Sequence, residues 1–295
     1  MNQRAWVYAG LATGVLVVST AAILIRIAQA EGASSMAIAA WRLGVASLVL
    51  APIVWHRAGA ELRSLGAKEI GLALFSGAFL AVHFGSWITS LEHTSVASST
   101  ALVTTNPLWV GIASVFFLRE RLTLPVALGI GIATAGTVAM FLAEPATSAQ
   151  RLANPVLGNS LALVGAISAS AYLIIGRSLR ARLSLLAYIW LAYGAAAIML
   201  FATVLVRGES ITGFTSTAYL CVLALALGPQ LLGHTLLNWS VRQVPATLVA
   251  LSILGEPVGS ALLAFFLFGE SIGWIQGAAF ALILLGIFCA TRAKA

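Results

Sequence analysis

Glu256 has the clearest chemical potential in the sequence, because it is a carboxylic acid inside an apolar segment long enough to cross a membrane. It stands in the string LGEPVGS, near the centre of residues 245–268. A carboxylate there must be paired, hydrated or protonated, and such residues mark functional sites. Pro257 removes one helical hydrogen bond and, with Gly255, predicts a kinked helix. Two interpretations stay open: a ligand for a substrate amine or a coupled proton, or a structural acid paired with a basic residue.

Arg42 is a second charged residue within an apolar segment, in the string AAWRLG. Its guanidinium could pair with Glu256, could bind a substrate carboxylate, or could extend along its apolar stem toward the membrane surface. A structural or topological role is the alternative. Arg42 is therefore the candidate charge partner of Glu256.

Two further groups of polar side chains repeat at helical spacing. His83 and Trp87 are one turn apart, and Gln230, His234 and Asn238 are spaced by four residues. Such a stripe is costly against lipid, so it either lines a cavity or forms hydrogen bonds between helices. Neither histidine has a second metal ligand nearby, so no metal site is predicted. The candidate cavity residues are His83, Trp87, Asn106, Tyr172, Gln230, His234, Asn238 and Glu256.

The composition excludes an ordinary soluble fold. Of the 295 residues, 60% are hydrophobic and 8% are charged, whereas soluble domains have about 25% charged residues. A membrane-spanning helix needs ~20 mostly apolar residues, and ten segments meet this requirement. They are residues 6–27, 35–55, 69–91, 94–118, 124–143, 157–176, 184–206, 216–239, 245–268 and 272–291. An all-α integral membrane protein with ten transmembrane helices is predicted.

The basic residues indicate how the chain is oriented in the membrane. With the N-terminus on the inner side, twelve Lys and Arg fall in inner segments and two, Arg151 and Arg207, in outer loops. This asymmetry is the positive-inside pattern, and it predicts that both termini are cytoplasmic. The net charge of +7 is explained in the same way and by contact with membrane lipid, so no nucleic-acid partner is expected.

The chain contains an internal repeat that appears when it is shifted by 150 residues. Positions 150 residues apart, here termed repeat equivalents, pair Ser34 with Ser184, Gly44 with Gly194 and Gly136 with Gly286. Residues 1–145 and 155–295 are thus predicted to be two five-helix repeats. Because five is odd, the second repeat enters the membrane from the opposite side, as in many transporters with a central cavity. Duplication in an inert membrane protein is the alternative.

The repeat also relates the candidate site residues. Pro107 is the equivalent of Pro257, so a helix kink is predicted at both prolines. Asn106 is the equivalent of Glu256, which makes this position neutral in one repeat and acidic in the other. Such an asymmetry would suit a zwitterionic substrate. Close helix packing by small polar residues is the alternative for the neighbouring hydroxyl groups.

The two repeats carry a family resemblance in SLEHTSVASSTALVTTNPLWVGIASVFFLRERLT and in VRQVPATLVALSILGEPVGSALLAFFLFGES. Each combines a helix entry of small residues, a proline within the helix and an acid near the helix end. The chain in this respect resembles the drug/metabolite transporter superfamily in its ten-helix EamA-type branch. Within that superfamily it is most similar to bacterial exporters of aromatic and other amino acids. The resemblance implies a bacterial inner-membrane exporter with a central cavity between two halves.

The function expected from these features is export of small metabolites, most of all amino acids, by alternating access. Proton coupling through Glu256 and a monomer or homodimer are expected. Uptake or drug efflux by the same fold is one alternative, and a non-transporting structural or sensory membrane protein is another. No nucleotide-binding motif and no cluster of titratable residues is found, so neither a cofactor nor an enzyme is predicted.

The inverted repeat can be tested by cysteine labelling in intact cells. A single engineered cysteine at position 30 is expected to react with a membrane-impermeant maleimide added outside, whereas one at position 180 is expected to react only after the membrane is opened. Background labelling of Cys221 and Cys289 is removed by serine substitutions. Labelling of both positions from the same side contradicts the inverted arrangement.

Overall fold

The computed structural model describes residues 3–94, 96–113, 123–142, 154–268 and 274–291. Within these residues the chain is helical throughout, with no β-strand. The helices are α1 (Gln3–Val18), α2 (Ala21–Ala30), α3 (Ser35–Ser64), α4 (Ala67–His93), α5 (Val96–Val103), α6 (Asn106–Ala113), α7 (Leu124–Leu142), α8 (Pro155–Leu179), α9 (Leu185–Val206), α10 (Ser216–Leu225), α11 (Thr235–Ser240), α12 (Ala246–Ile253), α13 (Gly255–Phe268) and α14 (Trp274–Thr291). A π-helical segment, Ala226–His234, joins α10 to α11.

Seven helical runs among the described residues are long and apolar enough to cross a membrane. They are Ala5–Ala30, Ser35–Ser64, Ala67–His93, Val156–Leu179, Leu185–Val206, Ser216–Ser240 and Leu248–Leu267. The remaining predicted segments correspond to α5 with α6, to α7 and to α14, which are shorter within the described part of the chain. The protein is thus an all-helical, multi-pass membrane protein, as predicted.

One helix is longer than the sequence pattern predicted. The predicted segment 35–55 ends nine residues before α3 does, at Ser64. Most residues after Trp55 are good helix formers, and the single Gly59 among them does not interrupt the helix, which ends shortly before Gly66. Hydropathy marks where a chain leaves the apolar layer, not where its hydrogen-bonded helix ends. Arg57 and Arg63 therefore lie on α3 and not in a loop.

The helices α3 and α9 occupy equivalent places in the two repeats, and their relative direction shows that the second repeat is inverted with respect to the first. Ser34 and Ser184 cap these helices, each accepting a hydrogen bond from the amide three residues later at 3.2 Å. The Ser34 hydroxyl also donates to Glu209 Oε2 at 2.7 Å, beyond the end of α9. The Ser184 amide donates to Glu61 Oε1 at 2.6 Å, near the end of α3. Each helix thus begins beside the end of the other, so the two run antiparallel.

Repeat-equivalent glycines provide the close approach between α7 and α14. A Cβ atom on Gly136 would lie 2.8 Å from the Ala279 carbonyl oxygen, and one on Gly286 would lie 2.6 Å from the Gly129 carbonyl oxygen. Only a residue without a side chain fits at these distances. Because residues early in α7 meet residues late in α14, this pair is antiparallel too.

The remaining helices follow the same approximate two-fold relation. α4 packs along α8, and α1 with α2 packs in the same way along α10, the π-helical segment and α11. Exchanging the two repeats turns the first contact into the second. The larger hydrophobic core lies where helices of both repeats meet, and a smaller one lies around α7, α12 and α14.

Two helical runs break at repeat-equivalent positions. α5 ends at Val103 and α6 begins at Asn106, while α12 ends at Ile253 and α13 begins at Gly255. Both breaks directly precede the prolines at which kinks were predicted, Pro107 and Pro257. A proline lacks the amide hydrogen that a continuous helix needs. The site residues Asn106 and Glu256 consequently stand in the first turn of a half-helix.

Replacing Gly136 by alanine is expected to destabilise the protein, because the new methyl group would collide with α14 backbone. Overpacking of this kind costs about 1–3 kcal/mol. The midpoint of thermal unfolding in detergent, followed by tryptophan fluorescence, should fall.

Gly131→Ala is the matched control on the same helix, since nothing lies within 4 Å of its added Cβ. It should leave the midpoint unchanged or raise it slightly. Equal effects of the two substitutions would contradict the described packing of α7 against α14.

Candidate functional site

A central cavity lies between the two repeats and receives side chains from both. The centres of water molecules could occupy about 50 Å³ of it, which is room for only a few waters. Nine lining residues other than aliphatic ones are Arg42, His83, Trp87, Thr104, Asn106, Tyr172, His234, Asn238 and Glu256. The structure therefore brings Arg42 and all but one of the candidate cavity residues to a single place.

Gln230 is the candidate residue that does not line the cavity. It is fully buried on the π-helical segment, and its Oε1 accepts a hydrogen bond of 2.9 Å from Arg42 Nε. The extra residue in a π-helix turns the following side chains relative to a regular helix, and such segments are frequent at functional sites. Spacing by four residues assumed a regular helix, so it could not separate Gln230 from His234 and Asn238.

Arg42 is held on two sides. Gln230 binds Nε, and the carbon Cζ of Arg42 lies 4.1 Å from the centroid of the Phe84 ring. A cation over an aromatic face is stabilised by the ring quadrupole. The atoms Nη1 and Nη2 are buried and have no hydrogen-bond partner. The guanidinium is therefore fixed in orientation while its outer edge remains free to bind an acceptor.

Glu256 lies in the first turn of α13, where the helix dipole stabilises negative charge. Its side chain is buried and interacts electrostatically with Arg42. Among the described residues no ion-pair contact joins the two groups. The cavity thus contains one basic and one acidic group that are near each other but not paired.

Asn106 occupies the equivalent position in the first repeat, at the start of α6. Its Oδ1 atom is buried without a partner, while its carbonyl oxygen accepts a hydrogen bond of 3.2 Å from Ser170. The carbonyl contact anchors the half-helix to α8. The amide oxygen of the side chain is free for a ligand in the cavity that Asn106 lines.

His83 and Trp87 form one wall of the cavity. Their rings are nearly parallel, with centroids 6.0 Å apart. His83 Nδ1 donates a hydrogen bond of 3.0 Å to the Gly165 carbonyl, because a carbonyl can only accept. Nε2 is thus the histidine nitrogen left for a ligand, and Trp87 Nε1 is a buried donor without a partner.

Tyr172 and Asn238 form a second wall. Asn238 Nδ2 donates to the Tyr172 hydroxyl at 2.7 Å and to the His234 carbonyl at 2.9 Å. The Tyr172 ring lies beside that of Tyr188, with centroids 5.9 Å apart, and the Tyr188 hydroxyl bonds to Ser76 at 2.8 Å. These contacts fix the position of the Tyr172 side chain. The ring face that does not lie against Tyr188 is left as a surface for a substrate.

Sequence reasoning missed three residues that shape the site: Phe84, Tyr193 and Thr235. Phe84 supports Arg42 and also packs against His234, with centroids 5.4 Å apart. Tyr193 and Thr235 carry hydroxyl groups that are buried without a partner. Tyr193 is one of several aromatic residues within the apolar segments, and its residue type alone does not distinguish it from the others. A phenylalanine in an apolar helix carries no signal of its own.

The described part of the chain contains no group of three or more metal-ligating side chains. The His83 ring contacts Phe84 and Trp87, and the His234 ring contacts Phe84. The acids near the helix ends of the two resembling segments, Glu120 and Glu270, lie outside the described residues, as do residues 146–153 between the two predicted repeats.

The chain was compared with known proteins. The model of the EamA-like transporter family matches it twice, at residues 5–142 and 156–292. Chains of solved structures also match, and one titled "Crystal structure of protein" superimposes with a TM-score of 0.77 at 20% identity, covering 97% of each chain. At that identity the similarity shows the fold alone. No curated protein matches the sequence.

Gln230→Leu is expected to destabilise the protein, because it leaves Arg42 Nε buried without a partner. The cost of an unsatisfied buried donor is about 1–3 kcal/mol, and more for a charged group. The measurement is the midpoint of thermal unfolding, with Gln243→Leu on the exposed loop as control.

Arg42→Leu/Gln230→Leu completes a double-mutant cycle. The double variant should lose less stability than the sum of the two single variants, since both partners are then removed. Strict additivity would show that the two side chains do not act together.

Proposed function

Because the chain belongs to the EamA-like transporter family, we propose that it exports small metabolites, with amino acids as the leading class, by alternating access. Members of this family are membrane transporters of small molecules. The central cavity between the repeats is the binding site in this proposal. It lies where inverted-repeat transporters bind their substrates.

The single observation that carries the amino-acid assignment is the unpaired presence of Arg42 and Glu256 on one cavity. A zwitterion offers a carboxylate to the guanidinium and an ammonium group to the carboxylate. Its binding completes both ion pairs without changing the net charge of the cavity. A cation or an anion alone would complete one pair and leave the other group uncompensated in a region of low dielectric constant.

The aromatic walls support a cargo with an apolar or aromatic side chain. Trp87, His83 and Tyr172 present ring surfaces, and the other lining residues include aliphatic ones such as Leu80, Leu173 and Ile253. Ring faces attract both apolar groups and ammonium groups. Aromatic amino acids are thus included in the proposed cargo class.

The size of the cavity supports a mechanism in which the repeats must separate. The present space holds a few water molecules, so an amino acid enters only when helices around the cavity move apart. Paired inverted repeats give two related ways to open, one toward each side of the membrane. The breaks before Pro107 and Pro257 provide bends at which half-helices can change direction.

The proposal also includes the orientation of the chain in the membrane and the coupling of transport to protons. The positive-inside pattern supports cytoplasmic termini, and the family resemblance supports a bacterial inner membrane. Glu256 is the proposed proton-coupling group, because a buried carboxylate that exchanges an ammonium group for a proton links the two fluxes. Glu256 lines the cavity in the first turn of α13, where a substrate and a proton can reach the same carboxyl group in turn.

Glu256→Gln is expected to abolish proton-coupled export in liposomes loaded with a panel of amino acids. A hydrogen bond to a charged group contributes about 1.5–3 kcal/mol, so affinity should fall by about tenfold or more. Flux of labelled amino acids, with and without an imposed pH gradient, measures both effects.

Glu69→Gln is the matched control, because Glu69 forms an ion pair of 3.5 Å with the exposed Arg182 away from the cavity. It should transport normally. Saturable, pH-gradient-dependent flux that survives Glu256→Gln removes the coupling role, and absence of flux for every amino acid removes the cargo assignment.

A further inference from the structure

Beside the cavity that it lines, Arg42 meets an unusual cluster of hydrogen-bond donors. The atoms Nη1 and Nη2 of Arg42, Nε2 of Gln230, and the hydroxyls of Tyr193 and Thr235 are all buried without a hydrogen-bond partner. The side chains of Arg42, Tyr193 and Gln230 are fully buried. Buried polar groups nearly always have partners, so four neighbouring side chains without one call for a physical explanation.

The chemistry of Gln230 fixes which of its atoms is free. Arg42 Nε can only donate, so the atom it contacts at 2.9 Å must be the amide oxygen of Gln230. The amide nitrogen then points elsewhere and retains both its hydrogens. It is a donor and cannot serve as an acceptor for the guanidinium.

Tyr193 links the members of the cluster. Its hydroxyl interacts with the side chains of Gln230, Thr235 and Tyr172 and with the charge of Arg42, but none of these contacts has the geometry of a hydrogen bond. Thr235 is also unusual among the hydroxyls of this protein. Thr89, Thr137 and Thr203, for example, each donate to the carbonyl four residues earlier, and Thr235, directly after the π-helical segment, does not.

The cluster has a surplus of donors over acceptors. The acceptors that it offers are the two hydroxyl oxygens and the second lone pair of Gln230 Oε1, whereas the guanidinium, the amide and the hydroxyls supply more hydrogens. One positive charge lies among them. A ligand that satisfies this arrangement must accept several hydrogen bonds and carry negative charge, and it must be small, because protein surrounds it.

We propose that Arg42, Gln230, Tyr193 and Thr235 form a binding site for one small monovalent anion. Two sources have the required chemistry: the carboxylate of the cargo and a halide ion. The carboxylate source rests on the proposed function, since it places the acidic end of the amino acid at this site and the ammonium end at Glu256. The planar edge of a guanidinium binds a carboxylate through two parallel hydrogen bonds.

The test uses the purified full chain in sodium gluconate, because the gluconate anion is too large for the cluster. Chloride, bromide or acetate is added at constant ionic strength, and the unfolding midpoint is followed by the fluorescence of the eight tryptophans. A ligand that binds only the folded state raises this midpoint in a saturable manner. In the wild type we expect such a rise with chloride or acetate.

The variants Tyr193→Phe and Thr235→Val remove donors without removing the charge. Each should increase the anion concentration for half-maximal stabilisation by about tenfold, the change that corresponds to about 1.4 kcal/mol. The controls are Thr137→Val, whose hydroxyl bonds to its own helix, and Tyr219→Phe on an exposed surface. Because the readout is a concentration dependence, it stays informative even if a variant is less stable.

Two arms separate the sources of the anion. If chloride competitively raises the half-saturating concentration of a transported amino acid, and leaves the flux of its decarboxylated amine unchanged, the cargo carboxylate occupies the site. If chloride stabilises the protein without competing with the amino acid, the site holds a halide. Either result supports an anion site.

The proposal is overturned if no anion stabilises the wild type in a saturable manner, or if both donor variants respond like the wild type. Its failure can be told apart from failure of the proposed function. Amino-acid flux in a protein that no anion stabilises in a saturable manner would remove the anion site alone. Saturable anion stabilisation without amino-acid flux would remove the proposed cargo alone.

Discussion

The burial of Arg42 is the constraint on which the central cavity depends. An arginine at the centre of a transmembrane helix costs about 2.5–3.5 kcal/mol on insertion scales, so the surrounding protein must compensate for it. Gln230 and Phe84 provide part of that compensation through a hydrogen bond and an aromatic face. Glu256 balances the charge from a distance. The remaining free edge of the guanidinium is what makes the cavity a binding site and not merely a packing defect.

The helical scaffold is symmetric, whereas the charged residues of the cavity are not, and these two features serve different functions. Repeat-equivalent serines and glycines bring α3 against α9 and α7 against α14 in opposite directions. The charged groups follow no such symmetry, since the equivalent of Arg42 is Ala192 and that of Glu256 is Asn106. Duplication thus supplies two related halves that can move against each other. Later divergence at single positions supplies a cavity with one positive and one negative wall.

Stability and function make opposite demands at the cavity. Most hydroxyl groups in the transmembrane helices donate a hydrogen bond to a backbone carbonyl of their own helix, so they need no partner from neighbouring helices. The donors around Arg42 remain without partners, and unsatisfied groups in a medium of low dielectric constant are destabilising. A binding site needs such groups, because the free-energy cost of burying them without a partner is offset only when a ligand forms hydrogen bonds with them. Several of the unsatisfied atoms accordingly belong to residues that line the cavity, namely Arg42, Trp87 and Asn106.

Much of the site could be predicted because polarity in an apolar helix is a strong signal. Arg42, Glu256, His83 and Asn238 stood out in the sequence for that reason, and all four line the cavity. Tyr193 and Phe84 did not, because aromatic residues are common in membrane helices and acquire a role only from their neighbours. Gln230 stood out correctly as polar, but the stripe to which it was assigned presupposed a regular helix.

The sequence by itself determined the helical, membrane-spanning character of the chain, because long apolar segments can be recognised from composition alone. It also determined the inverted repeat, because matching residues recur at a constant spacing of 150 positions. It also located the proline breaks, since proline acts on its own helix. The tertiary structure alone decided which atom of Arg42 is bonded, which is free, and which side chains lie behind it. These depend on helix rotation and on the π-helical segment, and such contacts join residues such as Arg42 and Gln230 that lie 188 positions apart.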